Sequence, residues 1–117
     1  MNLGFNFWNE IWNYIFSFND LVNKFPNAEI EMYELSPHYD SAKSFYGKAK
    51  VVKINNDVFL VSYDTVVASF NEEEKIMRID DTYSATTLRH IKEFLKQNGF
   101  KAETKKQIEN DYMKEVA

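Results

Sequence analysis

The chain has 117 residues, 44% of them hydrophobic and 16% aromatic, and its 14 Lys+Arg against 18 Asp+Glu give a net charge of −4. At that length one domain can bury a core without metal or disulfide support, and the absence of cysteine excludes a disulfide framework, Cys zinc sites, iron–sulfur ligation and thiolate nucleophiles. No apolar run reaches the ~18 residues of a membrane span, and no basic segment precedes an apolar one at the N-terminus, so the expectation is a cytoplasmic protein with neither cofactor nor membrane contact.

Phe5, Trp8, Ile11, Trp12, Ile15, Phe16, Leu21, Val22 and Phe25 recur mostly at steps of three and four, which predicts a helix over 5–25 stopped by Pro26. Its aromatic stripe reads as core, although exposed aromatics there would offer a route to a homodimer. Residues 28–34 alternate, with Ile30 and Met32 on one side and Glu29, Glu31 and Tyr33 on the other, which predicts a half-buried strand. Ser36-Pro37-His38-Tyr39-Asp40-Ser41 is a polar loop. Phe45–Ile54 then reads as a strand, Asn55-Asn56-Asp57 as hairpin chemistry, and Val58–Val61 as the antiparallel partner. Further strands are expected at 65–70 and 75–79, giving a meander of four strands, five with residues 28–34.

From Ser84 the period changes. Leu88, Ile91, Phe94 and Leu95 share a helical face, Ser84 or Thr86 can cap its start, and Gly99 suits its left-handed end. A second helix follows Lys101, where Thr104 and Gln107 match the T-x-x-Q capping box and Ile108, Tyr112, Met113 and Val116 form a stripe. The order predicts an α+β domain over 1–117, with an N-terminal helix and two C-terminal helices packed against one face of an antiparallel sheet.

Charge is banded along this order. Residues 1–42 hold six acids against Lys24 alone, residues 43–53 hold four lysines and no acid, and residues 54–81 hold seven acids against Lys75 and Arg78. Banding of this kind makes patches that steer partners. The early acids Glu29, Glu31, Glu34 and Asp40 are candidates for a protein-binding surface. Lys48, Lys50, Lys101, Lys105 and Lys106 are the alternative, a basic stripe for nucleic acid, which counterion release would drive.

Catalytic signatures are lacking. No Walker A, G-x-G-x-x-G or G-x-S-x-G pattern occurs, and Glu72-Glu73-Glu74 with Asp80-Asp81 lacks calcium-loop spacing. His38 beside Asp40 is the one conceivable His–Asp couple, but neighbours in a loop rarely converge on one atom, so a plain turn is favoured over a hydrolase. His90 borders the core face of its helix, where a hydrogen-bonded structural histidine is the usual outcome.

The stretch Ser62-Tyr63-Asp64-Thr65-Val66-Val67-Ala68, followed by Tyr83-Ser84-Ala85-Thr86-Thr87-Leu88-Arg89-His90-Ile91-Lys92-Glu93-Phe94-Leu95-Lys96-Gln97-Asn98-Gly99-Phe100, resembles a family of small uncharacterised proteins. These belong to phages, prophages and other mobile elements of low-GC Gram-positive bacteria, and the resemblance spans residues 45–112. It implies origin rather than mechanism. In general character the chain is similar to anti-CRISPR and other anti-defence inhibitors, which implies a non-enzymatic protein that binds a host defence nuclease such as Cas9. The motifs also admit a purely structural reading, as a tight strand connection and a helix cap. If they form a site, its polar groups are Tyr63, Arg89 and His90.

Overall fold

A computed structural model describes residues 17–80 and 84–113. The aromatic run from Phe5 to Phe16, most of the predicted first helix, lies outside them, as does Val116. The described part of that helix is α1 (Phe18–Lys24). Ser17 caps it: its hydroxyl accepts from the Asp20 amide while the Asp20 carboxylate accepts from the Ser17 amide, so two otherwise orphaned donors are satisfied. The helix closes at Phe25, immediately before Pro26.

Five strands follow, β1 (Ile30–Glu34), β2 (Ala49–Ile54), β3 (Asp57–Ser62), β4 (Thr65–Asn71) and β5 (Met77–Ile79). They form one antiparallel sheet in the order β1-β2-β3-β4-β5, the meander that the alternating pattern predicts. Asn55 takes φ 57 in the two-residue β2–β3 turn, a left-handed conformation that Asn tolerates better than most residues. The register slips between Leu60 and Val61, so Val67 and Ala68 both contribute to the same side of the core.

Helix α2 (Ala85–Gln97) starts at Ser84, whose hydroxyl accepts from the Thr87 amide, and ends before Gly99 at φ 80. Helix α3 (Lys105–Tyr112) starts at Thr104, which accepts from the Gln107 amide. The Gln107 carbonyl oxygen accepts from the Glu103 amide, one residue before the one that a capping box would use.

Four sequence expectations change. The strand predicted from Phe45 begins only at Ala49, because Tyr46 and Gly47 adopt φ 54 and φ 74 and the Lys48 amide bonds back to the Phe45 carbonyl. That turn sends Phe45 into the core. The strand predicted at 75–79 likewise starts at Met77, since Lys75 takes φ 57. Helices also cover both faces of the sheet. Ile91, Phe94, Leu95 and Ile108 pack on the face built from Ala49, Val51, Val58 and Leu60. Leu21 of α1 packs on the opposite face with Val52, Ile54, Phe59, Val61 and Val66. Strands β2 to β4 are therefore apolar on both sides, which is why β3 reads as an unbroken apolar run in place of an alternation. Strand β1 departs the other way: it is an edge strand and, apart from the partly covered Ile30, exposed, with Met32 at 48%.

Candidate functional site

The two sequence motifs meet in space. Ser62 ends β3, and α2 directs Thr87 and His90, three residues apart on one helical face, toward it. Ser62 Oγ lies 2.8 Å from His90 Nδ1 and 3.0 Å from Thr87 Oγ1, and all three side chains are buried. The imidazole edge meets Phe45, with ring centroids 4.7 Å apart. Burial, and secondarily the charge of Arg89, pushes the His90 pKa below 6.5, while Asp40 pulls it the other way. A serine beside an imidazole has the composition of a nucleophile–base pair. Here the hydroxyl is 2% exposed and shared with Thr87, so what it does is tie α2 to the sheet through a satisfied polar network.

One helical turn outward, Arg89, Glu93 and Gln97 stand at four-residue steps and hold the 36–42 loop. Arg89 grips Asp40 with a two-toothed contact, Nε to Oδ2 at 2.9 Å and Nη2 to Oδ1. Asp40 Oδ1 also accepts from the Ala42 amide at 2.9 Å. The Arg89 guanidinium, aided by that amide, brings the Asp40 pKa down to about 2. Glu93 is 1% exposed. Its Oε1 accepts from the Tyr39 and Asp40 amides at 2.9 and 3.0 Å, and its Oε2 accepts from Gln97 Nε2 at 2.6 Å. Burial alone would raise this carboxylate, but Gln97 and the amides of His38, Tyr39 and Asp40 outweigh it and leave the pKa lowered. Gln97 Nε2 also donates to the Ser36 carbonyl at 2.7 Å. Successive loop amides thus form a small anion cradle filled by the protein's own glutamate. With both Asp40 oxygens engaged by Arg89 and Ala42, the loop takes the plain-turn form in place of a His38–Asp40 couple. Sequence reasoning missed Glu93 and Gln97. The available signal was a carboxylate set inside the apolar stripe of α2, between Ile91 and Phe94.

Three tyrosines on the loops and turns around this base are exposed. Tyr39, Tyr46 and Tyr63 are 61%, 77% and 47% exposed. Tyr63 occupies the β3–β4 turn at φ 58, its amide donates to the Lys48 carbonyl at 2.7 Å, and its ring centroid is 6.0 Å from that of His90. Lys48 Nζ stands 5.6 Å from the same ring centroid. Tyr46 and Tyr63 both occupy the left-handed region, which costs an L-residue roughly 1–2 kcal/mol and which a bulky aromatic seldom adopts. Tyr63 therefore neighbours His90, which lies beneath the surface, while Arg89, the preceding residue of α2, turns outward to Asp40.

The remaining candidates separate. Glu29 is exposed just before β1, while the register sets Glu31 opposite Lys53 and Glu34 opposite Lys50. Glu34 Oε1 also accepts from the Gly47 amide at 2.7 Å. The early acids are thus faced by counter-charges within the sheet and do not gather into one patch, with Asp40 held apart by Arg89. Among the lysines, Lys48 and Lys50 stand at the start of β2. Lys101, 3.3 Å from Glu103, and the exposed Lys105 and Lys106 belong to the α2–α3 connection and α3, which packs on β5. Strands β2 and β5 are three positions apart, roughly 14 Å, so the five lysines do not line one stripe. Among the described residues no three His, Cys, Asp or Glu side chains gather to hold a metal, and no helix is long and apolar enough to cross a membrane.

A model of a family of unknown function, DUF8033, matches residues 33–110. The chain belongs to this family. The DUF8033 match runs from the end of β1 through most of α3 and so takes in the clasp that Arg89, Glu93 and Gln97 form on the 36–42 loop, the buried Ser62–Thr87–His90 network and the exposed Tyr39, Tyr46 and Tyr63. Neither the comparison with curated proteins nor that with solved structures gives a match.

Proposed function

We propose that this DUF8033 chain is a non-enzymatic binding protein of a phage or mobile element that inhibits a host defence nuclease, Cas9 being the target to test first, by direct protein contact. The contact surface in this reading is Tyr39, Tyr46 and Tyr63 with Arg89. The observation that carries it is the pair Tyr46 and Tyr63. Each is exposed and each sits in a conformation that glycine or asparagine would adopt at less cost, so folding alone does not account for an aromatic at either turn. Tyrosine and arginine are also the side chains that dominate protein interface energetics, since they present large, stiff contact areas with a polar end. The mobile-element origin is supported by the resemblance of the Ser62–Ala68 and Tyr83–Phe100 motifs, and the nuclease target by the chain's general similarity in character to anti-defence inhibitors.

The test is DNA cleavage by purified guide-loaded Cas9 titrated with this protein, beside the Tyr46→Ala/Tyr63→Ala double variant. Stoichiometric inhibition that weakens by about 100-fold in the double variant is expected, the loss that two interface anchors of average weight produce. No inhibition by the folded wild type would remove the Cas9 target, and inhibition indifferent to both tyrosines would remove the surface. Binding that disappears on digestion of nucleic acid would move the function to the lysines.

A further inference from the structure

We infer that Asn98-Gly99 is a self-modifying site, an asparagine that deamidates through attack by the following backbone nitrogen at a rate set by opening of the α2 C-terminal cap. The chemistry starts from the sequence. Asn98 is the one asparagine that precedes a glycine; every other precedes a residue whose Cβ crowds the attacking nitrogen. In the reaction the Gly99 nitrogen gives its proton to water and bonds to Asn98 Cγ. The Cγ–Nδ2 bond breaks, and Nδ2 leaves as ammonia after taking up a proton. Water then opens the cyclic imide at either carbonyl, which leaves an aspartyl or an isoaspartyl linkage. Water is consumed and ammonia released, with no other reactant. Both residues are exposed, and a Cβ placed on Gly99 would meet nothing within 4 Å, so water reaches the bond freely.

The cap holds both reacting groups. With Gly99 at φ 80, its amide donates to the Lys96 carbonyl at 3.2 Å and the Phe100 amide to the Leu95 carbonyl at 2.9 Å, the paired bonds of a left-handed helix end. The nucleophile is thereby engaged. Asn98 Nδ2, the leaving group, donates to the Phe94 carbonyl at 2.8 Å. Asn98 has ψ 12, which turns the Gly99 nitrogen over Asn98's own nitrogen, whereas the imide ring needs it over Cβ. Attack therefore waits for the cap to open. Phe100 seats the cap against Phe70 and Tyr112, with ring centroids 5.5 and 6.2 Å apart, so opening is local and lies at the less stable end of a helix. Conversion is one-way. The new carboxylate cannot donate to Phe94 and stands at the negative pole of α2, and the isoaspartyl form lengthens the main chain and breaks the paired bonds. The effect reaches the 36–42 loop, because the preceding Gln97 is the residue that ties Ser36 and Glu93.

The test ages the full chain at neutral pH, folded in buffer and unfolded in urea, and follows each asparagine by peptide mapping with mass spectrometry. Hydrogen exchange at the Gly99 amide is measured beside it. In urea, product is expected at Asn98 ahead of every other asparagine. In the folded protein the rate should be at least about tenfold lower, the slowing that closure of three hydrogen bonds produces. One opening frees the Gly99 nitrogen for exchange and for attack alike, so its protection against exchange should match that slowing to within about threefold. Phe100→Ala, which removes the packing that seats the cap, should accelerate both by the same factor, and the wild-type comparison holds whether or not that variant folds. The deamidated fraction, separated by ion exchange, should lose protection at Gly99 and Phe100. Equal rates in the folded and unfolded chain, a slowing unrelated to Gly99 protection, or faster reaction at another asparagine overturns the proposal. A deamidated fraction with protection at Phe100 intact overturns the one-way loosening.

Discussion

Replacing Glu93 by alanine tests whether the clasp holds the loop or merely decorates it. The carboxylate accepts from Tyr39, Asp40 and Gln97, and burial leaves it 1% exposed. Hydrogen bonds to a charged group contribute about 1.5–3 kcal/mol each, which for three would sum to well over 4 kcal/mol if nothing relaxed. Relaxation is available, because the loop is partly open to water and its amides can be rehydrated once it swings away. The deleted charge also no longer carries a desolvation cost. We therefore expect Glu93→Ala to lose about 3 kcal/mol, near 12 °C in Tm for a chain of this size. Arg89→Ala should cost far less than Glu93→Ala, since the guanidinium is half exposed and an exposed ion pair contributes little. Urea unfolding of the wild type and both variants gives the energies, and amide exchange locates them, with Tyr39 and Asp40 losing protection in Glu93→Ala. Added formate, small enough to enter the vacated cradle, should restore part of both. A Glu93→Ala protein within 1 kcal/mol of wild type, with protection at Tyr39 and Asp40 unchanged, would show that the loop is held by something else.

Acid should unfold the protein in two stages. His90 lies below 6.5 when folded, so the unfolded chain takes its proton first: stability is level above that pH, declines below it, and levels again once folded His90 is itself protonated. Asp40 contributes stability above its ordinary 3.8 that is lost as pH falls toward about 2, while Asp57, raised by burial, works in the opposite sense. Urea midpoints from pH 8 to 2 should show both stages, and His90→Gln should flatten the first; an unaltered upper limb would assign it to another group. Ser69→Ala should stabilise by about 1 kcal/mol, because Ser69 Oγ is buried without a partner and alanine removes that cost. A loss of stability on calorimetry would mean the hydroxyl is bonded. Tyr46→Gly should leave stability unchanged or raise it by up to about 1 kcal/mol, since relief of the left-handed strain is offset by glycine's greater unfolded freedom and no buried contact is lost. The same variant should bind its partner less well. A clear destabilisation would show that the exposed ring supports the fold.

Much of the fold was legible because local chemistry and tertiary packing agree. The Asn55-Asn56 turn, the Ser84 and Thr104 caps and the 3.6-residue recurrence of Leu88, Ile91 and Leu95 each specify their element from a few neighbouring residues. Disagreement entered where a distant contact decided. Phe45 to Ile54 has the composition of one strand, yet Phe45 gains more by turning into the core beside His90 than by extending β2, and Gly47 makes that turn affordable. The clasp lay beyond any local pattern, since Tyr39 and Glu93 stand 54 positions apart. The acids failed as a patch for a related reason. Charge counted along the chain takes no account of register, and register set Glu31 and Glu34 against lysines of β2.

The buried networks and the strained turns belong to one arrangement. Ser62, Thr87 and His90 fasten the start of α2 to the end of β3, while Glu93 and Gln97 fasten the loop to the same helix. Tyr63 follows directly on Ser62, Tyr46 on Phe45, and Tyr39 bonds Glu93 through its own amide. Each exposed ring is thus within one residue of a buried anchor, which fixes its backbone and leaves mainly its two side-chain torsions free. A surface held in this way loses little further freedom on binding, so more of the contact energy survives as affinity. Sensitivity to mutation then extends beyond the rings: Thr87→Val, which removes one hydroxyl and keeps the volume, should weaken partner binding through a loosened base even though it touches no partner atom. If calorimetry shows Thr87→Val destabilised while binding by the folded fraction is unchanged, then the network supports the fold alone and the tyrosines do not depend on it.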